Sequence, residues 1–87
     1  MRILWHESAW EEYISWQSKD RKFLKKINRL LSDIARNGYS STGKPETLTG
    51  NLSGYWSVRI DGKNRIVFRI EENRVEVVQC GTHYKDR

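Results

Sequence analysis

The chain has 87 residues and carries 16 Lys and Arg against 11 Asp and Glu, a formal net charge of +5. That length holds one domain, residues 1–87, with a small core to which four Trp, four Tyr and two Phe bring most of the bulk. No apolar run approaches the ~20 residues of a membrane span. The N-terminus shows no signal-peptide pattern, and Cys80 as the single cysteine excludes an internal disulfide and a cysteine-based zinc site. The expectation is a cytoplasmic protein with a polyanionic partner, nucleic acid before membrane.

Arg2 to Trp5 reads as a short apolar strand. Ser8 followed by Glu11 has the form of a capping box and predicts a helix from about Ala9 to Ser18. Tyr13, Trp16 and either Ala9 or Trp10 fall on its buried side. Asp20 is a good N-cap for a second helix. Phe23, Ile27, Leu30, Leu31 and Ile34 give that helix one apolar stripe, and Asn37-Gly38 ends it. The short joint predicts an antiparallel helical hairpin. Lys22, Lys25, Lys26 and Arg29 share one side of the second helix, and Lys19 and Arg21 stand at its start, where cations oppose the macrodipole. This is either an ordinary solvated face or a contact surface for a nucleic-acid backbone.

Residues 38–50 read as a long irregular loop that holds the only proline, in Lys44-Pro45-Glu46. Long loops often carry function, and Pro45 restrains the backbone beside Glu46. Composition leaves Glu46 as either a surface carboxylate or a catalytic one.

Residues 51–68 read as the hairpin around which the chain is organised, with its turn at Asp61-Gly62. Alternation puts Trp56, Val58 and Ile60 on one face of the first strand and Tyr55, Ser57 and Arg59 on the other. In the second strand Ile66, Phe68 and Ile70 oppose Arg65, Val67 and Arg69. The apolar faces coincide only if the loop has an odd number of residues or a bulge corrects the count. A three-residue loop Ile60-Asp61-Gly62 fits, with Gly62 left-handed. Arg59 and Arg65 then share a face without an obvious internal carboxylate, either splayed into water or converging on an anion such as phosphate. Residues 71–73 make a turn, and Arg74 to Cys80 forms a further strand. Strict alternation puts His83 on the Val75 and Val77 side, so the chain must break parity near Gly81 if His83 is to reach the arginine face.

Pooled, Glu46, Arg59, Arg65, His83 and Tyr84 supply what metal-free RNA cleavage requires. A base takes the proton of the ribose 2′-hydroxyl, that oxygen attacks the adjacent phosphorus, an acid protonates the departing 5′-oxygen, and cations stabilise the phosphoryl oxygens. Glu46 is the candidate base, His83 the candidate acid and Arg65 the candidate clamp. Lys44, Arg59 and Tyr55 are candidates for substrate and phosphate contact. No metal and no cofactor is expected.

The runs Trp5-His6-Glu7-Ser8-Ala9-Trp10, Lys44-Pro45-Glu46, Asn51-Leu52-Ser53-Gly54-Tyr55-Trp56-Ser57-Val58-Arg59-Ile60, Arg65-Ile66-Val67-Phe68 and His83-Tyr84 together resemble the YoeB/Txe toxins of the RelE/ParE superfamily. The resemblance covers nearly the whole chain. It implies an α+β, microbial-RNase-like fold in which two N-terminal helices pack on one face of a twisted antiparallel sheet. It implies a bacterial type II toxin that cuts messenger RNA in the ribosomal A site, a YefM-like antitoxin as partner, and it admits a homodimer. By the same resemblance Glu46 matches the general base, Arg65 the phosphate-stabilising arginine, His83 the general acid, Tyr84 a substrate-positioning residue and Arg59 a further active-site arginine. The chain departs from the family pattern at Thr49, Val58, Lys63-Asn64 and Gly81-Thr82. Two rivals remain: a non-enzymatic poison of the ParE type acting on DNA gyrase, and a plain RNA-binding module that works through its basic helix.

Overall fold

The computed structural model describes residues 1–82. In chain order it contains β1 (Arg2–Trp5), α1 (Glu7–Lys19), α2 (Arg21–Asn37), β2 (Glu46–Thr47), β3 (Trp56–Arg59), β4 (Asn64–Glu71) and β5 (Arg74–Thr82). The strands form one sheet in the order β1-β5-β4-β3-β2. The architecture is α+β, with both helices against one sheet face. β2 to β5 pair antiparallel with their neighbours, whereas β1 joins β5 in parallel. The alternation of four residues does not carry strand direction; the helical hairpin between β1 and the rest of the sheet sets it.

Helix α1 begins at Glu7, one residue before Ser8, with His6 as N-cap and no side-chain cap. The predicted capping box therefore does not form. His6 is the reason: its N–H donates to the Val77 carbonyl as a continuation of strand pairing, and its own carbonyl already accepts from the Trp10 N–H. The end of β1 thus dictates where the helix starts. Helix α2 starts as its sequence predicts, the Asp20 carboxylate accepting from the Phe23 N–H at 3.1 Å. It ends at Gly38, whose φ of +62° is of the left-handed kind glycine adopts at helix C-termini. The two helices meet through Trp16 and Phe23, with ring centroids 4.1 Å apart, and through a Tyr13 hydroxyl bond to Asn28.

The core lies between helices and sheet. Ala9, Ile27, Leu31 and Ile34 come from the helices, and Val58, Ile60, Ile66, Phe68, Val75, Val77 and Cys80 from the sheet, all at 5% exposure or less. Of the two α1 alternatives, Ala9 is the buried one; Trp10 is 45% exposed and packs with Trp5 and Tyr13.

Residues 38–50 are not one irregular loop. They contain a single helical turn at Gly38–Ser40 and the two residues of β2. Three anchors explain the order. The Asp33 carboxylate accepts from the Thr42 N–H and hydroxyl at 2.7 and 2.6 Å, which holds its carboxyl below the ordinary carboxylate range. Tyr39 stacks on Trp56 at 4.2 Å. The Tyr39 hydroxyl also accepts from the Ile70 N–H at 2.8 Å. The two Tyr39 contacts are long-range in sequence, so composition alone does not announce them.

Candidate active site on the open sheet face

The sheet face turned away from the helices carries the polar residues of the hairpin. In the β3–β4 register Arg59 lies directly across from Arg65, Val58 from Ile66, Ser57 from Val67 and Trp56 from Phe68. The parity is the expected one, but the loop sits further along. Ile60 closes it by donating its N–H to the Asn64 carbonyl, leaving Asp61-Gly62-Lys63 at the tip. Gly62 is not left-handed. The Asp61 carboxylate takes over the shaping role, accepting from the Lys63 and Asn64 N–H groups at 2.8 Å each. Those two backbone bonds hold its carboxyl below its usual value, with a smaller contribution from Lys26.

Glu46 reaches this face from β2, where it pairs with Ser57. Ser57 is the link between the two charged residues. It is 1% exposed, and the Arg65 guanidinium donates to its hydroxyl through Nη1 at 3.0 Å. The same Nη1 stands 3.9 Å from the Glu46 carboxylate. Arg65 is therefore not without an internal carboxylate, contrary to the expectation from sequence. The pair is loose, however, with 71% of the Glu46 side chain exposed. Arg59 is exposed beside Arg65. Lys44 is exposed two residues before Glu46, and its φ of +57° bends the chain into β2. What results is a carboxylate and two guanidiniums on an open surface, one guanidinium braced from below by a hydroxyl. Such a surface can bind a phosphodiester and hold a proton acceptor beside it.

Tyr55 lies at the other end of the same face, half-buried, with the Arg69 guanidinium 5.0 Å over its ring. Arg69 donates through Nε to Glu76 Oε1 at 2.8 Å, and the other Glu76 oxygen is 2.5 Å from His6 Nε2. The Arg69 bond, then the His6 bond, keep the Glu76 carboxyl below its ordinary value.

Strand parity in β5 does break, and it breaks upstream of Gly81. Between Val67 and Phe68 the β4–β5 register shifts, so that Gln79 faces Val67 and Val77 faces Phe68 while Val78 is the extra residue. Beyond this bulge Gly81 lies across from Arg65. Helix α1 secures the end of β5, where β1 no longer pairs: Glu12 accepts from the Cys80 N–H at 2.8 Å and the Trp16 indole donates to the Cys80 carbonyl at 3.1 Å. The Cys80 thiol is pushed up to about 12 by burial and by Glu12, which suits a packing residue and not a nucleophile. His83 and Tyr84 lie outside the described residues.

The structure thus brings Glu46, Arg59 and Arg65 together, with Lys44 two residues before Glu46 in the chain and Tyr55 further along the same face. The basic residues Lys22, Lys25, Lys26 and Arg29 are all exposed on α2, in the layer on the opposite side of the sheet. Ser57, Glu12 and the His6–Glu76–Arg69 chain were not among the residues picked from sequence. Ser57 had a signal, since it alternates with Tyr55 and Arg59. The His6–Glu76 and Glu12–Cys80 contacts join segments more than sixty residues apart and had none, whereas Arg69–Glu76 spans only the turn between β4 and β5.

Residues 5–84 match the family model for the YoeB-like toxin of bacterial type II toxin–antitoxin systems. The chain is 48% identical to toxin YoeB of Streptomyces coelicolor over 97% of its own length and all of that protein. Among solved structures it superposes on a YoeB/ParE toxin from Agrobacterium tumefaciens with a TM-score of 0.89 at 41% identity, covering 97% of this chain and all of that one. The Staphylococcus aureus YoeB of a YoeB–YefM complex gives a TM-score of 0.86 at 40% identity, covering 97% of this chain and 98% of that one. The S. aureus toxin has also been solved as a dimer.

Proposed function

Because the chain belongs to the family of YoeB-like toxins of bacterial type II toxin–antitoxin systems, we propose that it is a ribosome-dependent endoribonuclease that cuts messenger RNA in the A site and so blocks translation. The observation that carries the proposal is the convergence of Glu46 and Arg65 on Ser57, with Arg59 across the strand, on a sheet face free of the helices.

In this reading the phosphodiester lies against Arg59 and Arg65. Glu46 takes the proton of the 2′-hydroxyl, which attacks the adjacent phosphorus. Arg65 stabilises the charge that builds on the phosphoryl oxygens, its guanidinium kept in place by Ser57. His83 gives a proton to the departing 5′-oxygen and Tyr84 positions the substrate. Both stand shortly after Gly81, the residue across from Arg65. Lys44 adds positive charge to the approach, and the cationic side of α2 holds ribosomal RNA. No cofactor is needed. A YefM-like antitoxin neutralises the protein by bringing acidic side chains to the two arginines, and the toxin also self-associates as a homodimer. The site of action is the cytoplasm, where ribosomes are.

Purified protein with ribosomes programmed by a defined mRNA tests this directly. Cleavage in the A site, and none of the same mRNA without ribosomes, is the expected result. Tight ribosome binding without any cut would instead make the protein an RNA-binding module, and inhibition of DNA gyrase without a cut would make it a ParE-like poison.

A further inference from the structure

We infer that Tyr55 is a stacking platform for a nucleobase beside the cleaved linkage, and that Arg69 and Glu76 are the positioning residues that hold it; the inference rests on the nuclease reading above. Three observations carry it. The backbone of Tyr55 is fixed on both sides, its N–H donating to the Leu52 carbonyl at 2.9 Å and its carbonyl accepting from the Leu48 N–H at 3.0 Å. The ring is half-buried on the same face as Ser57 and Arg59, so it faces the strip where the phosphodiester lies. The Arg69 guanidinium lies 5.0 Å over it and is held by Glu76 Oε1 at 2.8 Å, with Glu71 Oε1 at 3.5 Å. Glu76, only 13% exposed, is in turn fixed by His6. A cation stacked on one side of an aromatic ring sets its tilt, and an aromatic ring of fixed tilt binds bases through their π-faces without reading their edges. Along a strand, two residues advance about 7 Å. Tyr55 is therefore one such step from Ser57 and two from Arg59, within reach of a base flanking the linkage held at Arg65.

The arrangement predicts a division of labour in steady-state kinetics. On programmed ribosomes Tyr55→Leu should raise KM by about tenfold or more, the size of a lost stacked base, with kcat nearly unchanged. Tyr55→Phe should behave as wild type. Arg69→Gln should raise KM several-fold and add nothing in a Tyr55→Leu background, because it acts through that ring. With an mRNA made abasic at one of the two nucleotides flanking the cut, wild type and Tyr55→Leu should become alike. Thermal melts of Arg69→Gln, a half-exposed position, separate positioning from folding. If wild type cuts while Tyr55→Leu and Arg69→Gln keep its KM, or if both variants lose equally on intact and abasic mRNA, the inference is overturned alone. If wild type cuts nothing, the nuclease reading fails and takes this inference with it.

Discussion

Arg65 donates to the buried hydroxyl of Ser57 at 3.0 Å through the same Nη1 that stands 3.9 Å from Glu46, while Arg59 lies across the strand pair. Two like charges directly across a strand pair repel, and the bond to the hydroxyl offsets part of that cost. Arg65→Ala should lower the single-turnover cleavage rate by about 10²–10³, the usual cost of one preorganised donor to developing charge. Ser57→Ala, which leaves the charge in place and removes its brace, should lower it by a smaller factor, with Tm within a few degrees of wild type. A Ser57→Ala rate equal to wild type would mean that the hydroxyl does not orient Arg65.

Glu46 and His83 supply the proton-transfer prediction. Glu46→Gln and His83→Ala should each slow cleavage by about 10²–10⁴. Glu46 is exposed and its ion pair with Arg65 is loose at 3.9 Å, so its replacement should leave thermal stability nearly unchanged. Rapid-quench measurements that return wild-type rates for either variant would remove it from the role given.

The cationic side of α2 has no acidic residue in its first turn to balance it, and stability alone would not select that pattern. Replacing Lys22, Lys25, Lys26 and Arg29 together by Glu should weaken ribosome binding and flatten its salt dependence, while circular dichroism stays as in wild type. Binding unaffected across a salt series would return this surface to ordinary solvation.

The segment that carries Lys44 and Glu46 hangs on Asp33. Its carboxyl lies below the ordinary value of 3.8, chiefly because the Thr42 hydroxyl and then Asn37 donate to the charged form. A depressed folded value contributes stability above the unfolded value, and the contribution is lost as pH falls through the folded one. Asp33→Asn should therefore lower Tm at pH 7, and the gap to wild type should close only at pH below about 4. A gap that stays constant down to pH 2 would show that the ionised form is not what anchors the segment.

Much of this site was legible before any coordinates, and for physical reasons. The alternation of Trp56, Val58 and Ile60 against Tyr55, Ser57 and Arg59 follows from the pleat alone, and the structure puts Val58 and Ile60 in the core with Trp56 packed at its edge. The stripe of Ile27, Leu31 and Ile34 and the Asp20 cap are likewise local. Expectations failed where a contact that composition does not mark overrode the expected local signal. Strand pairing at His6 displaced the Ser8 capping box, and the Asp61 carboxylate did the work expected of a left-handed Gly62. Asp33, Tyr39 and Trp56 ordered what composition presents as a loose loop. The bulge at Val78 shows the limit most clearly, because Val75, Val77 and Val78 offer no mark of where parity breaks.

In the proposed reaction the ribose 2′-hydroxyl is the nucleophile, activated by Glu46, with Arg65 stabilising the phosphoryl oxygens. An internal nucleophile held next to the phosphorus can supply roughly 7–11 kcal/mol of the barrier, which leaves proton transfer and charge stabilisation to the few side chains present. The most direct test is A-site cleavage of an mRNA whose nucleotide 5′ to the cut carries hydrogen in place of its 2′-hydroxyl, with the ends of the natural products identified by mass spectrometry. The account predicts no cleavage of the deoxy mRNA at nearly unchanged binding, a 2′,3′-cyclic phosphate or its 3′-phosphate on the upstream natural fragment, and a free 5′-hydroxyl on the downstream one. Efficient cutting of the deoxy mRNA, or a 5′-phosphate on the downstream fragment, would make water the nucleophile and contradict the roles given to Glu46, Arg65 and His83.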